Sequence, residues 1–122
     1  MELLYKDITE KIIKALFEVF NHLGPGLSET IYQRAVKEEL VGLGLKYEVE
    51  KNAEVFYKNK KIGFYKLDLL VEDKVVLELK VKPAIEPLDE AQLITYLKST
   101  GYRVGILSNF GSKKLEFKRF IV

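Results

Sequence analysis

The sequence predicts an α/β (α+β) fold: a mixed β-sheet flanked by helices, in the order ααβββαββ. Three observations carry this expectation. Apolar residues recur at helical spacing in the first third of the chain. Three strand-like segments follow, joined by short polar turns. A further helical stretch then leads into two more strand-like segments.

Taken in order, Ile8, Ile12, Ile13, Leu16, Val19, Phe20 and Leu23 predict a helix from about Tyr5 to Leu23, ended by "GPG" at 24–26. Ser28 is a candidate cap for a second helix, whose apolar stripe is read as Ile31, Ala35, Val36 and Leu40, with Gly42 and Gly44 closing it. Residues 45–57 read as one long or broken strand. "KNKK" at 58–61 is a polar turn into a second strand near 62–71, and "EDK" at 72–74 is a tight turn into a third at 75–81. Pro83 and Pro87 interrupt regular structure. A third helix is expected over about 88–100, with Leu88, Ala91, Leu93, Ile94 and Leu97 as its apolar positions and Gly101 as its stop. Strands at 103–110 and 114–122 complete the chain.

A length of 122 residues suits one domain spanning 1–122 and is enough to bury a core. With no cysteine there is neither a disulfide framework nor thiolate chemistry, which fits a reducing, cytoplasmic setting. No apolar run approaches the ~20 residues that span a bilayer. The opening "MELLYKDITEKIIKALFEVF" has acids among its apolar residues, so no secretory signal is expected. The net charge of +2 is unevenly spread. Residues 1–45 carry −2, residues 46–66 carry +3, residues 67–97 carry −4 and residues 98–122 carry +5. Basic flanks around an acidic middle suit a site that holds a cation and faces a polyanion. Chance segregation of surface charge is the plainer alternative.

The acidic middle contains an anomaly. "VVLELKV" at 75–81 reads as a buried strand, yet Glu78 and Lys80 lie within it. Alternation puts Val75, Leu77, Leu79 and Val81 on one face and Val76, Glu78 and Lys80 on the other. In the preceding strand, Leu67, Leu69 and Val71 share a face and Asp68 lies opposite with Leu70. A hairpin through "EDK" can bring Asp68 beside Glu78 and Lys80. Two adjacent carboxylates repel unless a cation sits between them. Mg²⁺ suits such a pair, because it takes hard oxygen ligands and keeps several waters. The competing reading is a cross-strand Glu–Lys ion pair on a solvated sheet face.

Asp68 followed by Glu78-Leu79-Lys80 resembles the D…(D/E)XK core of the PD-(D/E)XK nuclease superfamily, whose helix–strand–strand–strand–helix–strand core matches the predicted order. "GLSETIY" at 26–32 places Gly26, Glu29 and Tyr32 at the spacing that names the GxxExxY protein family. "LDLLVEDKVVLELK", "AQLITYLKSTGYRVGILSNFG" and a basic tail containing "KRF" extend the likeness over nearly the whole chain. The resemblance implies a metal-dependent nuclease using Mg²⁺ or Mn²⁺, with DNA as the expected partner. It implies that Glu29, Asp68 and Glu78 bind metal, that the Leu79 carbonyl adds a ligand, and that Lys80 is the catalytic lysine. Gln92 and Tyr96 resemble the QxxxY element of RecB-like and lambda-exonuclease-like relatives, which supports the site or contacts nucleic acid. Each has a plainer reading. Glu29 is also a favourable acid in a first helical turn, and Tyr96 can pack while Gln92 stays exposed. Asp89 departs from the family's pattern, which often has histidine there. The lone histidine, His22, reads as a helix-end residue.

Other functions remain open at this level: a non-catalytic nucleic-acid-binding module, or a protein-interaction module joined through an edge strand at 45–57 or 114–122. A homodimer is compatible with each.

Overall fold

The computed structural model describes residues 4–122; Met1–Leu3, the start of the segment considered above as a leader, lie outside the described residues. The elements are α1 (Lys6–Leu23), α2 (Glu29–Gly42), β1 (Tyr47–Tyr57), β2 (Lys60–Val71), β3 (Val75–Lys80), α3 (Pro87–Thr100), β4 (Val104–Asn109) and β5 (Glu116–Ile121). This is the expected ααβββαββ order. The five strands form one mixed sheet in the order β1-β2-β3-β4-β5, antiparallel except for the β3–β4 pair. The parallel pair needs a crossover, and α3 provides it.

The sheet separates two apolar clusters. On one face α1 and α2 cover Leu69, Val71, Val75, Leu77, Leu79, Val104 and Ile106. On the other, Leu93 and Leu97 of α3 pack on Ala53, Leu67, Leu70, Val76 and Leu107. Neither face of β3 is solvated, so a cross-strand Glu–Lys pair on an open sheet face does not account for Glu78 and Lys80. Among the described residues neither side chain takes part in a salt bridge.

Three apolar assignments need correction. Ile31 is exposed, and the buried stripe of α2 is Tyr32, Val36 and Leu40. Leu88 and Ala91 are exposed, whereas Leu93, Leu97 and the carboxylate-bearing Asp89 are buried on α3. Leu67 packs on the α3 side rather than with Leu69 and Val71. Its displacement follows from a break in alternation at Glu50 and Asp68. Val49 pairs with Leu69 and Lys51 with Leu67, while Glu50, at φ 49°, and Asp68 drop out of the ladder between them. Faces are inverted beyond that point.

Turn chemistry explains the hairpins. Lys58 and Asn59 link β1 to β2 with φ of 49° and 67°, and Glu72 and Asp73 link β2 to β3 with φ of 54° each. Two successive left-handed residues match the twist of flanking strands. Pro87 opens α3 at its first turn, where a missing N–H costs nothing, and Glu86 and Asp89 form a reciprocal capping box around it.

The connection leaving β3 is tightly held. Buried Asn109 accepts from the Lys82 N–H (3.0 Å) and the Gly111 N–H (3.1 Å), and donates to the Lys82 carbonyl (2.9 Å) and to Glu116 (2.8 Å). Gly111 lies flat on Lys82: a Cβ there would stand 2.3 Å from the Lys82 N and O atoms. Backbone cannot yield as a flexible side chain can. Gly111→Ala is therefore expected to destabilise the fold by about 3 kcal/mol, read as a lower urea midpoint; an unchanged midpoint would show that the contact is not needed.

Candidate active site

The site forms where β2 leaves β3. The antiparallel pairing runs Val71↔Val75, Leu70↔Val76 and Leu69↔Leu77, and stops there. One step further, Asp68 and Glu78 would face each other. Instead the Asp68 carboxylate accepts the Leu79 N–H at 2.9 Å, taking the place of the missing ladder acceptor. Gln33 of α2 donates to the Asp68 carbonyl at 3.3 Å, anchoring the displaced backbone from the other side. On the far edge of β3, the Phe110 N–H donates to the Lys80 carbonyl. Backbone groups alternate direction along a strand, so the Leu79 carbonyl turns towards β2 and the gap that Asp68 occupies.

Within this gap the acids are crowded. Glu78 is 8 % exposed, and its Oε1 is buried without a hydrogen-bond partner. Burial, reinforced by the charge of Asp68, pushes its pKa up to about 8, while Lys80 opposes the rise. Asp68 is also raised, chiefly by burial, with the Leu79 N–H, the neighbouring Glu78 carboxyl and the Lys80 charge acting in the opposite direction. Glu50 adds a further negative charge beside it. Glu29 keeps much of its surface, yet partial desolvation raises its carboxyl above the ordinary value; Asp68 adds to this and Lys80 counters it. Glu29, Asp68, Glu78 and Lys80 therefore share one electrostatic neighbourhood, although they come from three elements. Three acids face a single lysine, and all three hold protons more tightly than in water.

The N-terminal end of α2 is fixed by its preceding loop. Ser28 caps the helix by accepting the Ile31 N–H, which sets Glu29 in the first turn. Gly26 adopts φ 90°, a conformation that favours glycine, and donates its N–H to the Phe110 carbonyl. Tyr32 is fully buried and stacks on Phe110 with centroids 4.3 Å apart. Its hydroxyl donates to the Gly24 carbonyl (2.5 Å) and accepts the Leu27 N–H (3.0 Å). Gly26 and Tyr32 thus shape the loop that presents Glu29, and neither reaches the acids. Tyr32→Phe should cost about 1–2 kcal/mol by orphaning two backbone groups. Chemical denaturation measures this; stability equal to wild type would show the hydroxyl to be redundant.

The other expected residues are less central. Tyr96 stacks on Tyr65 at 4.0 Å, and its carbonyl accepts the Tyr65 hydroxyl. Tyr65 senses Glu78: burial first, and then that carboxylate, push its pKa up to about 12. Tyr96 thus braces a residue of the site wall, as a packing residue does. Gln92 is exposed. Asp89 accepts from the Lys82 ammonium (2.8 Å) and the Glu86 N–H (2.8 Å), and this ion pair holds its carboxyl below the usual range. Its role is to join α3 to the chain leaving β3. His22 is exposed in the last turn of α1. Sequence reasoning missed Gln33 and Asn109, the two amides that pin the strands bearing Asp68 and Lys80. The only sequence signal was for Asn109, a polar residue closing an apolar strand.

The donor set fits a hard divalent cation. Two carboxyls in one electrostatic neighbourhood, one orphaned carboxylate oxygen and a carbonyl turned to the same gap make an oxygen-rich set, and this pattern suits Mg²⁺ or Mn²⁺. Among the described residues, no three His, Cys, Asp or Glu side chains are already gathered as a metal cage.

Comparison with known proteins bears on the fold and the family. One solved structure, described as "Crystal structure of SSO0001", shares the fold with a TM-score of 0.57 at 19% identity. The alignment covers 96% of this chain and 57% of that one, so the chain spans little more than half that protein's length. No curated protein matches the sequence. Among the described residues, no helix is long and apolar enough to cross a membrane. The model of the PD-(D/E)XK nuclease superfamily matches residues 6–120, and the chain belongs to that superfamily.

Proposed function

We propose that the protein, as one domain over 1–122, is a cytoplasmic metal-dependent nuclease of GxxExxY type that hydrolyses phosphodiester bonds in nucleic acid, DNA before RNA. The observation that carries this reading is the buried, unpartnered Oε1 of Glu78 beside Asp68, in a site where Glu29, Asp68 and Glu78 are all raised in pKa. Asp68, Glu78 and the Leu79 carbonyl are the proposed inner ligands of Mg²⁺ or Mn²⁺, with Glu29 acting from the α2 side. A bound divalent cation lowers the pKa of a water and polarises a phosphate oxygen. Lys80, a cation felt by all three acids, orients the attacking water and offsets the charge growing on the phosphate. Gln92, exposed on α3, and Tyr96 beside it are proposed to help seat the substrate. Basic residues in 46–66 and 98–122 contact the phosphate backbone, so binding weakens as salt rises. A homodimer would offer one such site to each strand of a duplex.

The test is a cleavage screen over single- and double-stranded DNA and RNA with Mg²⁺ or Mn²⁺, with Glu78→Ala as the contamination control. Cleavage by wild type alone supports the proposal. Equal cleavage by both proteins would overturn it, and binding without cleavage would favour a regulatory module on the nuclease fold.

A further inference from the structure

Beyond the site, β1 and β2 run on together as an arm. β3 pairs with β2 only over Leu69–Val71, whereas β1 and β2 stay paired out to Tyr57↔Lys60. From Leu67 to the tip at Asn59 the arm reaches roughly 25 Å at ~3.3 Å per residue. One face is covered near its base, where Ala53 and Tyr65 meet α3. The opposite face, on the α2 side of the sheet, carries Phe56 (53 % exposed), Ile62 (61 %) and Phe64 (58 %). β2 bulges at Ile62, since Val55 pairs with Gly63 and Phe56 with Lys61. Residues 51–66 contain five lysines and one glutamate, a net of +4. Glu54 is occupied by Lys61 at 3.2 Å, and Lys58 lies 5.3 Å from the centroid of the exposed Tyr57 ring.

We infer that this arm is a nucleic-acid subsite that stacks unpaired bases on Phe56 and Phe64 while its lysines hold the adjoining phosphates. The inference rests on the nucleic-acid reading of the site. Charge selects the occupant. A polyanion with flat apolar faces complements both features of the arm, and base stacking on aromatic rings tolerates any sequence. A second copy joined arm to arm would set +4 against +4. Duplex DNA offers the charge but keeps its base faces within the stack. Asp68 lies on the same strand as Phe64, four residues further on, where the arm joins the body of the sheet.

The experiment is fluorescence anisotropy with the full chain, using labelled oligodeoxythymidylate, labelled oligouridylate and a blunt DNA duplex, in EDTA so that no strand is cut. Wild type should prefer single strands. Phe64→Ala and Phe56→Ala, both at exposed positions, should each weaken single-strand binding roughly tenfold and leave duplex binding unchanged. A Lys58→Ala/Lys60→Ala/Lys61→Ala protein should weaken all probes and flatten the salt dependence. Circular dichroism establishes that each variant is folded. Phenylalanine variants that bind single strands like wild type, or lose single strand and duplex equally, overturn the inference. So does a wild-type dimer that these variants dissociate in sedimentation. Single-strand binding through the arm without any cleavage by the chain would sustain the subsite and sink the nuclease reading. Cleavage that is indifferent to the arm would do the reverse.

Discussion

Lys80→Ala should lower phosphodiester cleavage by at least about 100-fold while the folded protein still binds Mn²⁺. The expectation comes from the lysine's position. It ends β3, two residues beyond Glu78, and its charge is felt by Glu29, Asp68 and Glu78 together. Removing it leaves the proposed oxygen donors intact but takes away the side chain proposed to balance charge on the reacting phosphate. Single-turnover cleavage separates this from a binding defect: the rate at saturating protein should fall, and substrate affinity should change little. A variant that cuts at the wild-type rate would remove Lys80 from the chemistry. A variant that loses Mn²⁺ as well would assign it a structural role.

Glu78→Gln should stabilise the metal-free protein at pH 8 and remove most of its pH dependence. The folded pKa of Glu78 is about 8, against 4.5 for a free side chain. Between those values the folded state keeps a proton that the unfolded state releases. Stability is therefore fully present below about pH 4.5 and declines as pH rises to about 8, with a slope of up to about 1.4 kcal/mol per pH unit. The raised pKa values of Asp68 and Glu29 act in the same direction. Glutamine keeps the shape and never ionises. Mg²⁺ should reverse the wild-type loss at pH 8, because it binds the folded carboxylates, and should not help the variant. Thermal melts across pH, with Mg²⁺ or EDTA, measure both effects. A flat wild-type profile, or equal protection of the variant by Mg²⁺, would contradict the account of the site.

The element order was legible because apolar spacing and turn residues marked where each helix and strand begins and ends. Glu78 stood out because alternation placed a carboxylate between Val76 and Lys80 in an otherwise apolar strand. The break at Glu50 and Asp68 was not legible. It depends on a glutamate at φ 49°, and no glycine or proline marks it. Consequently the inverted face of Leu67 could not be anticipated. The α2 stripe was misread because Ile31 is the more hydrophobic side chain, while Tyr32 is the one whose hydroxyl finds partners inside. Glu29 was reached only through a motif: nothing in a first-turn acid says that it faces a site built from strands some forty residues away.

Strand order in space repeats strand order in the chain. Each new strand joins the edge left by the one before it, and the only detour is the passage through α3. Growth by addition to an existing edge keeps most pairings short in sequence, and such topologies order quickly. During synthesis, Asp68, Glu78 and Lys80 emerge together on one hairpin, well before β4 and β5 exist to cover it. The mutual repulsion of those acids is thus met early, when α1 and α2 can cover one face of the hairpin but α3 does not yet exist to cover the face that bears Glu78.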